Sequence, residues 1–332
     1  MPALFAVAGH GGCCSLGVGM ASRAQEGPIN TWLLRVWHTC VLLLVSLPLF
    51  SMRGVARDSL PCGNDVELRL SSSESSQGSL VLVEVLSASP LAELKADWLG
   101  QMLRFWRDST PENVYQALLG IDLEQRAGVF PLTLAAQLKS GERIACSARV
   151  SVRAGHFTVE RVRVVRRFVE LSPKDLERAE QEGQRLRELC AQVTPERLWQ
   201  GRFRLPVDGV QAAGNFGRRR FFNGQLRSPH SGEDFPAAGG VPVHAAQRGR
   251  VVLAEALFFS GNTVVLDHGL GLYTSYGHLG SIAVEVNSMV EAGVTLGDVG
   301  ATGRVTGPHV HWAARLNQAR VNPLHIVALL SD

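Results

Sequence analysis

The sequence predicts a mainly β protein: an N-terminal β-sandwich of immunoglobulin-like type, a connecting helix and a C-terminal antiparallel β domain. Three observations predict it. Short alternating or apolar runs recur from residue 79 to residue 169, each closed by turn residues. Ser172-Pro173-Lys174-Asp175 then opens a charged stretch in the residue order of a helix start. From residue 207 lysine disappears, glycine is frequent, and alternating apolar segments are bounded by glycine or asparagine.

The first element precedes any fold. Residues 39–52 (TCVLLLVSLPLFSM) form an uncharged apolar run between Arg35 and Arg53, resembling a secretory signal. The run falls short of the roughly 20 residues that cross a bilayer, and Gly54-Val55-Ala56 offers small residues for cleavage. Residues 1–56 are therefore expected to be a signal peptide or a short membrane anchor. Export to the periplasm or cell envelope follows, or release outside the cell, with a membrane tether through the apolar run as the alternative to cleavage. Cys13, Cys14 and Cys40 lie in this part, which leaves Cys62, Cys146 and Cys190 for the exported portion. An odd number leaves one unpaired. A Cys62–Cys146 bridge would suit an oxidising compartment, but spacing alone does not establish it, and no cysteine pair has metal-finger spacing.

Residues 57–170 are expected to hold the sandwich, with strands at SLVLVEVL (79–86), VFPLTLAAQL (129–138), RIACSARVSV (143–152) and HFTVERVRVV (156–165). Trp98, Trp106 and Tyr115 are expected in packing. Residues 171–200 are expected as a helical linker, with serine as N-cap, proline at the first helical position, and Leu176, Leu186 and Leu189 facing the protein. Residues 201–332 complete the chain as the second β domain. The composition, 45% hydrophobic and 19% charged over 332 residues, suffices for more than one core. The net charge of +3 comes from 33 basic and 30 acidic residues without a basic block, which argues against nucleic acid as a partner.

Chemistry concentrates in the last domain, which holds seven of the ten histidines, so the candidate site is sought there. In RVTGPHVHWAAR (304–315) His309 and His311 are separated by one valine, and on a strand they share a face. In SPHSGEDF, His230 and Asp234 lie four apart in a loop-to-strand context. YGHL places His278 at the end of another apolar strand. A hydrolytic zinc site needs three nitrogen or oxygen ligands and one open position for water. His230, Asp234 and one of the 309/311 pair would supply them. The remaining histidines are left to accept the proton of the zinc-activated water and to steady the oxyanion. Of the others, His244, His268 and His325 read as structural or solvated, Tyr276 suits core packing as well as an oxyanion, and Arg218 or Arg219 is a candidate to meet a substrate carboxylate.

PHSGED, YGHL and TGPHVHW, in this order and spacing, resemble the M23 (lysostaphin-like, LytM-type) zinc endopeptidases of bacterial cell walls, together with FGRRR at 216–220 and VNPL at 321–324. The resemblance implies a C-terminal M23 peptidase domain that binds Zn2+ through His230, Asp234 and His311, with His278 and His309 as the catalytic pair. The activity it implies is exported endopeptidase cleavage of peptide bonds in peptidoglycan stems or cross-links, with peptidoglycan peptides as partners. Two rivals stand beside it: a non-catalytic M23-type regulator of another wall hydrolase, and a secreted protease of glycine-rich proteins. A third, an adhesion or carbohydrate-binding module, would make the histidines a coincidence.

Overall fold

The computed structural model describes residues 58–108 and 112–330. The expected signal or anchor lies outside the described residues, among which no helix is long and apolar enough to cross a membrane.

Two sheets make the N-terminal part. One carries, in spatial order, strands Asp58–Pro61, Val66–Leu70, Leu80–Ser87 and Val114–Gly120; the other carries Glu74–Ser76, Arg143–Arg153, Gly128–Leu138, Leu91–Trp98 and Gln101–Met102. The alternating residues Leu132, Leu134, Ala136 and Leu138 are buried along Gly128–Leu138, as period two requires when one face of a strand is covered. They meet Leu68, Val81, Val83 and Leu119 of the other sheet in one core. Cys62 and Cys146 form a disulfide with Cα atoms 5.4 Å apart, and Cys190 is free and buried.

The fourth expected sandwich strand belongs elsewhere. Of HFTVERVRVV only Val159–Val162 is extended, and it pairs in parallel with Arg219–Phe222 in a small sheet completed by Gln225–Leu226. Alternation identified a strand but carries no information about its partner.

Helix Pro173–Ala191 starts as its sequence implies: Ser172 accepts from the Asp175 amide, and proline occupies the first turn. Leu186, Leu189 and Cys190 pack on Leu253, Leu257, Val265 and Tyr273. Leu176, expected inward, is exposed, because it precedes the turns that touch the sheet.

The C-terminal sheet is antiparallel, in the order Gly232–Pro236, His309–Leu316, Leu272–Ile282, Gly261–Asp267, Gly249–Leu257 and Met289–Val290, with three short strands beside this path. Its core is continuous with the sandwich. Leu80, Leu82 and Leu118 pack in one cluster with Trp199, Phe203, Trp312, Leu316 and Ala319. Trp106 meets Trp199 edge to face at 5.3 Å. Arg320 forks onto Asp122 at 2.6 and 3.1 Å across the same junction.

Candidate metal centre

Strand His309–Leu316 buries every second residue: Val310 and Trp312 go into the core, which leaves His309, His311 and Ala313 on the open face. Asp234 lies directly opposite His311 on one side and Gly277 on the other. Directly paired residues project from one face, so Asp234 and His311 are forced together. A Cβ at Gly232 would sit 2.7 Å from the His311 ring, so glycine there makes room for it. His230 lies in the loop before that strand, pinned by backbone bonds from its amide to the Arg218 carbonyl (2.9 Å) and from the Gly217 amide to its own carbonyl (2.7 Å).

Three donor atoms converge. His230 Nε2 lies 2.8 Å from His311 Nδ1 and 3.1 Å from Asp234 Oδ1, and His311 Nδ1 lies 2.9 Å from the same carboxylate oxygen. Among the described residues this is the one cluster of histidine, cysteine or acidic side chains whose donor atoms could share a metal ion. His230 Nδ1 faces the Asn215 carbonyl at 3.0 Å. A carbonyl only accepts, so that nitrogen carries the proton and Nε2 presents a lone pair to the centre.

His278 and His309 stand beside the triangle. Their ring centroids are 4.8 Å apart, and His309 Nε2 lies 3.7 Å from Asp234 Oδ1. Both have Nδ1 committed to a backbone carbonyl, Thr302 for His278 and Gly307 for His309, each at 2.8 Å. Both Nε2 atoms therefore present lone pairs when the rings are neutral. Strict alternation from buried Tyr276 would send His278 into the core. Its φ of 63° breaks the alternation and turns the ring toward the other histidines. That left-handed conformation is uncommon for a residue with a Cβ.

The electrostatics follow from burial. Burial raises the Asp234 carboxyl, but hydrogen bonds with His230 and His311 outweigh it and hold it well below the usual carboxylate range. Burial, reinforced by His311 and His309, pushes His278 down to about 3. Burial also lowers His311, against its bond to Asp234.

Several partners carried no sequence signal of their own. Asn215 donates from Nδ2 to Asp234 Oδ2 at 2.8 Å, while its carbonyl fixes His230. Buried Glu233 accepts the Asn215 and Phe216 amides at 2.9 and 3.3 Å, which holds that turn. The available hint was position, because Asn215 directly precedes FGRRR. Within that stretch Arg220, rather than Arg218 or Arg219, reaches the centre, donating to Asp234 Oδ2 at 2.7 Å. Arg220 also pairs with Glu160 at 2.9 Å, and Arg218 lies 3.7 Å from Glu160. Strand Arg219–Phe222 projects alternate residues to opposite faces, so Arg219 points away.

The remaining candidates are structural. His268 is fully buried between the Arg248 carbonyl (2.8 Å) and Thr274 Oγ1 (2.7 Å). The Tyr276 hydroxyl accepts the Ala246 amide inside the core, where burial raises its pKa to about 12. His244 and His325 lie away from the cluster.

A cleft of about 300 Å³ opens on the triangle, lined by Asp234, His278, His309, Arg220, Arg304 and Glu160. A second hollow of about 190 Å³ borders His311 from the helix side, between Ser260, Gly277 and Arg315.

Residues 228–323 match the model of peptidase family M23. Over 122 residues the chain is 38% identical to the peptidoglycan DD-endopeptidase ShyC of Vibrio cholerae, which covers 36% of this chain and 28% of that protein. Over 97 residues it is 38% identical to the DD-carboxypeptidase/endopeptidase Mpg of Neisseria meningitidis, covering 29% and 22%. The chain thus spans under a third of the length of these curated relatives. A crystal structure from Pseudomonas aeruginosa assigned to peptidase M23 superposes over 77% of this chain and 96% of its own length, with 29% identity and a TM-score of 0.58. The antiparallel sheet that carries the three motifs holds the matched residues 228–323, and over that stretch the chain is similar to peptidase family M23.

Proposed function

We propose that the chain is an exported zinc-dependent endopeptidase that hydrolyses peptide bonds in peptidoglycan stems or cross-links. One observation carries the reading: His230 Nε2, His311 Nδ1 and Asp234 Oδ1 form a triangle with no edge longer than 3.1 Å. Two imidazoles and one carboxylate suit zinc, and bonds of about 2.0–2.1 Å would set tetrahedral ligands roughly 3.3 Å apart, close to these edges. When bound, the ion would polarise the scissile carbonyl and bring the pKa of the attacking water toward about 7.

The chain's own residues supply the proton chemistry. His309 Nε2 or His278 Nε2 takes the proton of the attacking water, since each Nδ1 is already donating to a carbonyl. Burial keeps His278 neutral at rest, so its Nε2 accepts first and donates only once protonated. The protonated ring then steadies the charge growing on the carbonyl oxygen and returns the proton to the leaving amine. Arg220 and Asn215 hold the Asp234 carboxylate in place from its other oxygen. Relatives named as peptidoglycan DD-endopeptidases, ShyC among them, support a wall peptide as substrate and the cell envelope as the place of action.

The test is metal analysis of the purified chain, followed by mass spectrometry of the muropeptides it releases from sacculi. About one zinc per chain and new peptide termini are expected. A folded chain that takes up no zinc, or a zinc-loaded one that leaves sacculi intact while binding another wall hydrolase, would overturn the reading in favour of a regulator. Cleavage of elastin but not sacculi would move it to glycine-rich proteins.

A further inference from the structure

Arg304 stands apart from every other basic residue of the cleft. Its guanidinium carbon lies 4.5 Å from the centroid of the Phe222 ring and 4.2 Å from that of Phe259. Its backbone amide ties it to the Phe259 carbonyl at 2.8 Å. Among the described residues no oxygen accepts a hydrogen bond from the guanidinium, and no carboxylate pairs with it. Its neighbours are engaged: Arg220 donates to Asp234 and Glu160, and Arg227 to the Val169 carbonyl and Gln225 Oε1. Arg304 lines the same cleft as Asp234, His278 and His309.

Stacking on aromatic rings uses the faces of a guanidinium and leaves its five N–H donors in the plane. None of its nitrogens is sealed from solvent, so in the free protein water meets them, and a carboxylate entering the cleft can take that place with a charge-assisted pair. Burial and the nearby Arg227 and Arg220 charges lower its pKa to about 10, which still leaves it charged at neutral pH. The cleft already takes one carboxylate, that of Glu160, onto Arg220 at 2.9 Å.

We propose that Arg304 is a specificity-determining residue that binds a free carboxylate of the peptide substrate through its guanidinium fork, while Phe222 and Phe259 hold the fork in place. The assignment rests on the peptidase reading above. A peptide carries two kinds of carboxylate, on a side chain or at its C-terminus, and both offer the same two oxygens to a planar fork.

The experiment uses the zinc-loaded full chain and two pairs of cross-linked wall peptides. In one pair a side-chain carboxyl is replaced by carboxamide; in the other the C-terminal carboxyl is replaced. In one pair the acid should exceed its amide in kcat/KM by ~10- to 100-fold, the range for a charge-assisted hydrogen-bonded pair. That pair identifies which carboxylate is bound. Arg304→Gln should collapse this ratio toward unity, mostly through KM. Arg304→Lys, which keeps the charge but loses the fork, should fall between. Wild-type discrimination requires no variant, so a poorly folding variant leaves the test intact; calorimetry of acid and amide product peptides on the wild type repeats it without turnover. Cleavage of all four peptides at equal rates would overturn the role of Arg304 and leave the endopeptidase standing. An acid preference that survives in Arg304→Gln would do the same. If the zinc-loaded chain cuts none of them and calorimetry shows no preference for the acid, both readings fall.

Discussion

Replacing His311 and His309 one at a time tests the two jobs proposed for one strand face. His311 Nδ1 lies 2.8 and 2.9 Å from the other two donors, so His311→Ala removes a corner of the triangle. Two donors remain, and zinc binding should weaken by more than the roughly 10- to 100-fold that losing an outer partner of a ligand costs. The fold should survive, because Asp234 Oδ2 keeps Arg220 at 2.7 Å and Asn215 at 2.8 Å and its charge is not stranded. His309 Nε2 is 3.7 Å from Asp234 Oδ1, outside the triangle, and its Nδ1 is spent on Gly307. His309→Ala should therefore retain about one zinc per chain and lose ~10²- to 10⁴-fold in rate, the range for a general base. The His278→Ala/His309→Ala pair should lose much less than the product of the single losses, since the two rings act as a unit. Zinc stoichiometry after dialysis at neutral pH, beside wall-peptide cleavage, checks all of this. Zinc lost from His309→Ala but retained in His311→Ala would reverse the assignment. No effect of either on zinc or rate would mean that this strand is not the site.

Three further outcomes follow. Arg220→Met strips Asp234 Oδ2 of a charged donor and should weaken zinc binding by about 10- to 100-fold in a chelator titration, while an unchanged affinity would remove Arg220 from the centre. Glu160→Lys sets a third positive charge against Arg218 and Arg220 and should dislodge strand Val159–Val162 from the cleft wall; wall-peptide kcat/KM should rise if that strand covers the cleft, and equal or lower values refute a cover. His268 is buried with its pKa lowered from 6.5 to about 4, so the unfolded chain binds its proton first as pH falls; stability present above pH 6.5 should drop by ~3 kcal/mol toward pH 4, and His268→Asn should flatten the slope in denaturant midpoints.

Legibility from sequence followed the range of the interaction. His309 and His311 share a face because side chains alternate, a rule that acts over two residues, and the helix start at Ser172 is equally local. His278 was legible as a histidine at a strand end but not as one turned out of the core, since its φ of 63° is set by the Ser260 and Thr302 carbonyls that hold it. The Asn215, Thr302 and Gly307 carbonyls that fix three imidazoles leave no trace in sequence, because every residue has a carbonyl.

The division of the chain was hidden by the same physics. Val159–Val162 reads as one more sandwich strand until its pairing with Arg219–Phe222, about sixty residues on, is seen. Leu316, Ala319 and Trp199 look like interior residues of a self-sufficient domain, yet Leu80, Leu82 and Leu118 pack with them. An apolar residue is selected for burial and not for the identity of what buries it. Cutting the chain near residue 198 would uncover that surface and break the Arg320–Asp122 fork. The N-terminal sheets and the sheet that carries the candidate site therefore share stability, and the effect of the N-terminal part on activity is better tested by single substitutions at the cleft wall than by truncation.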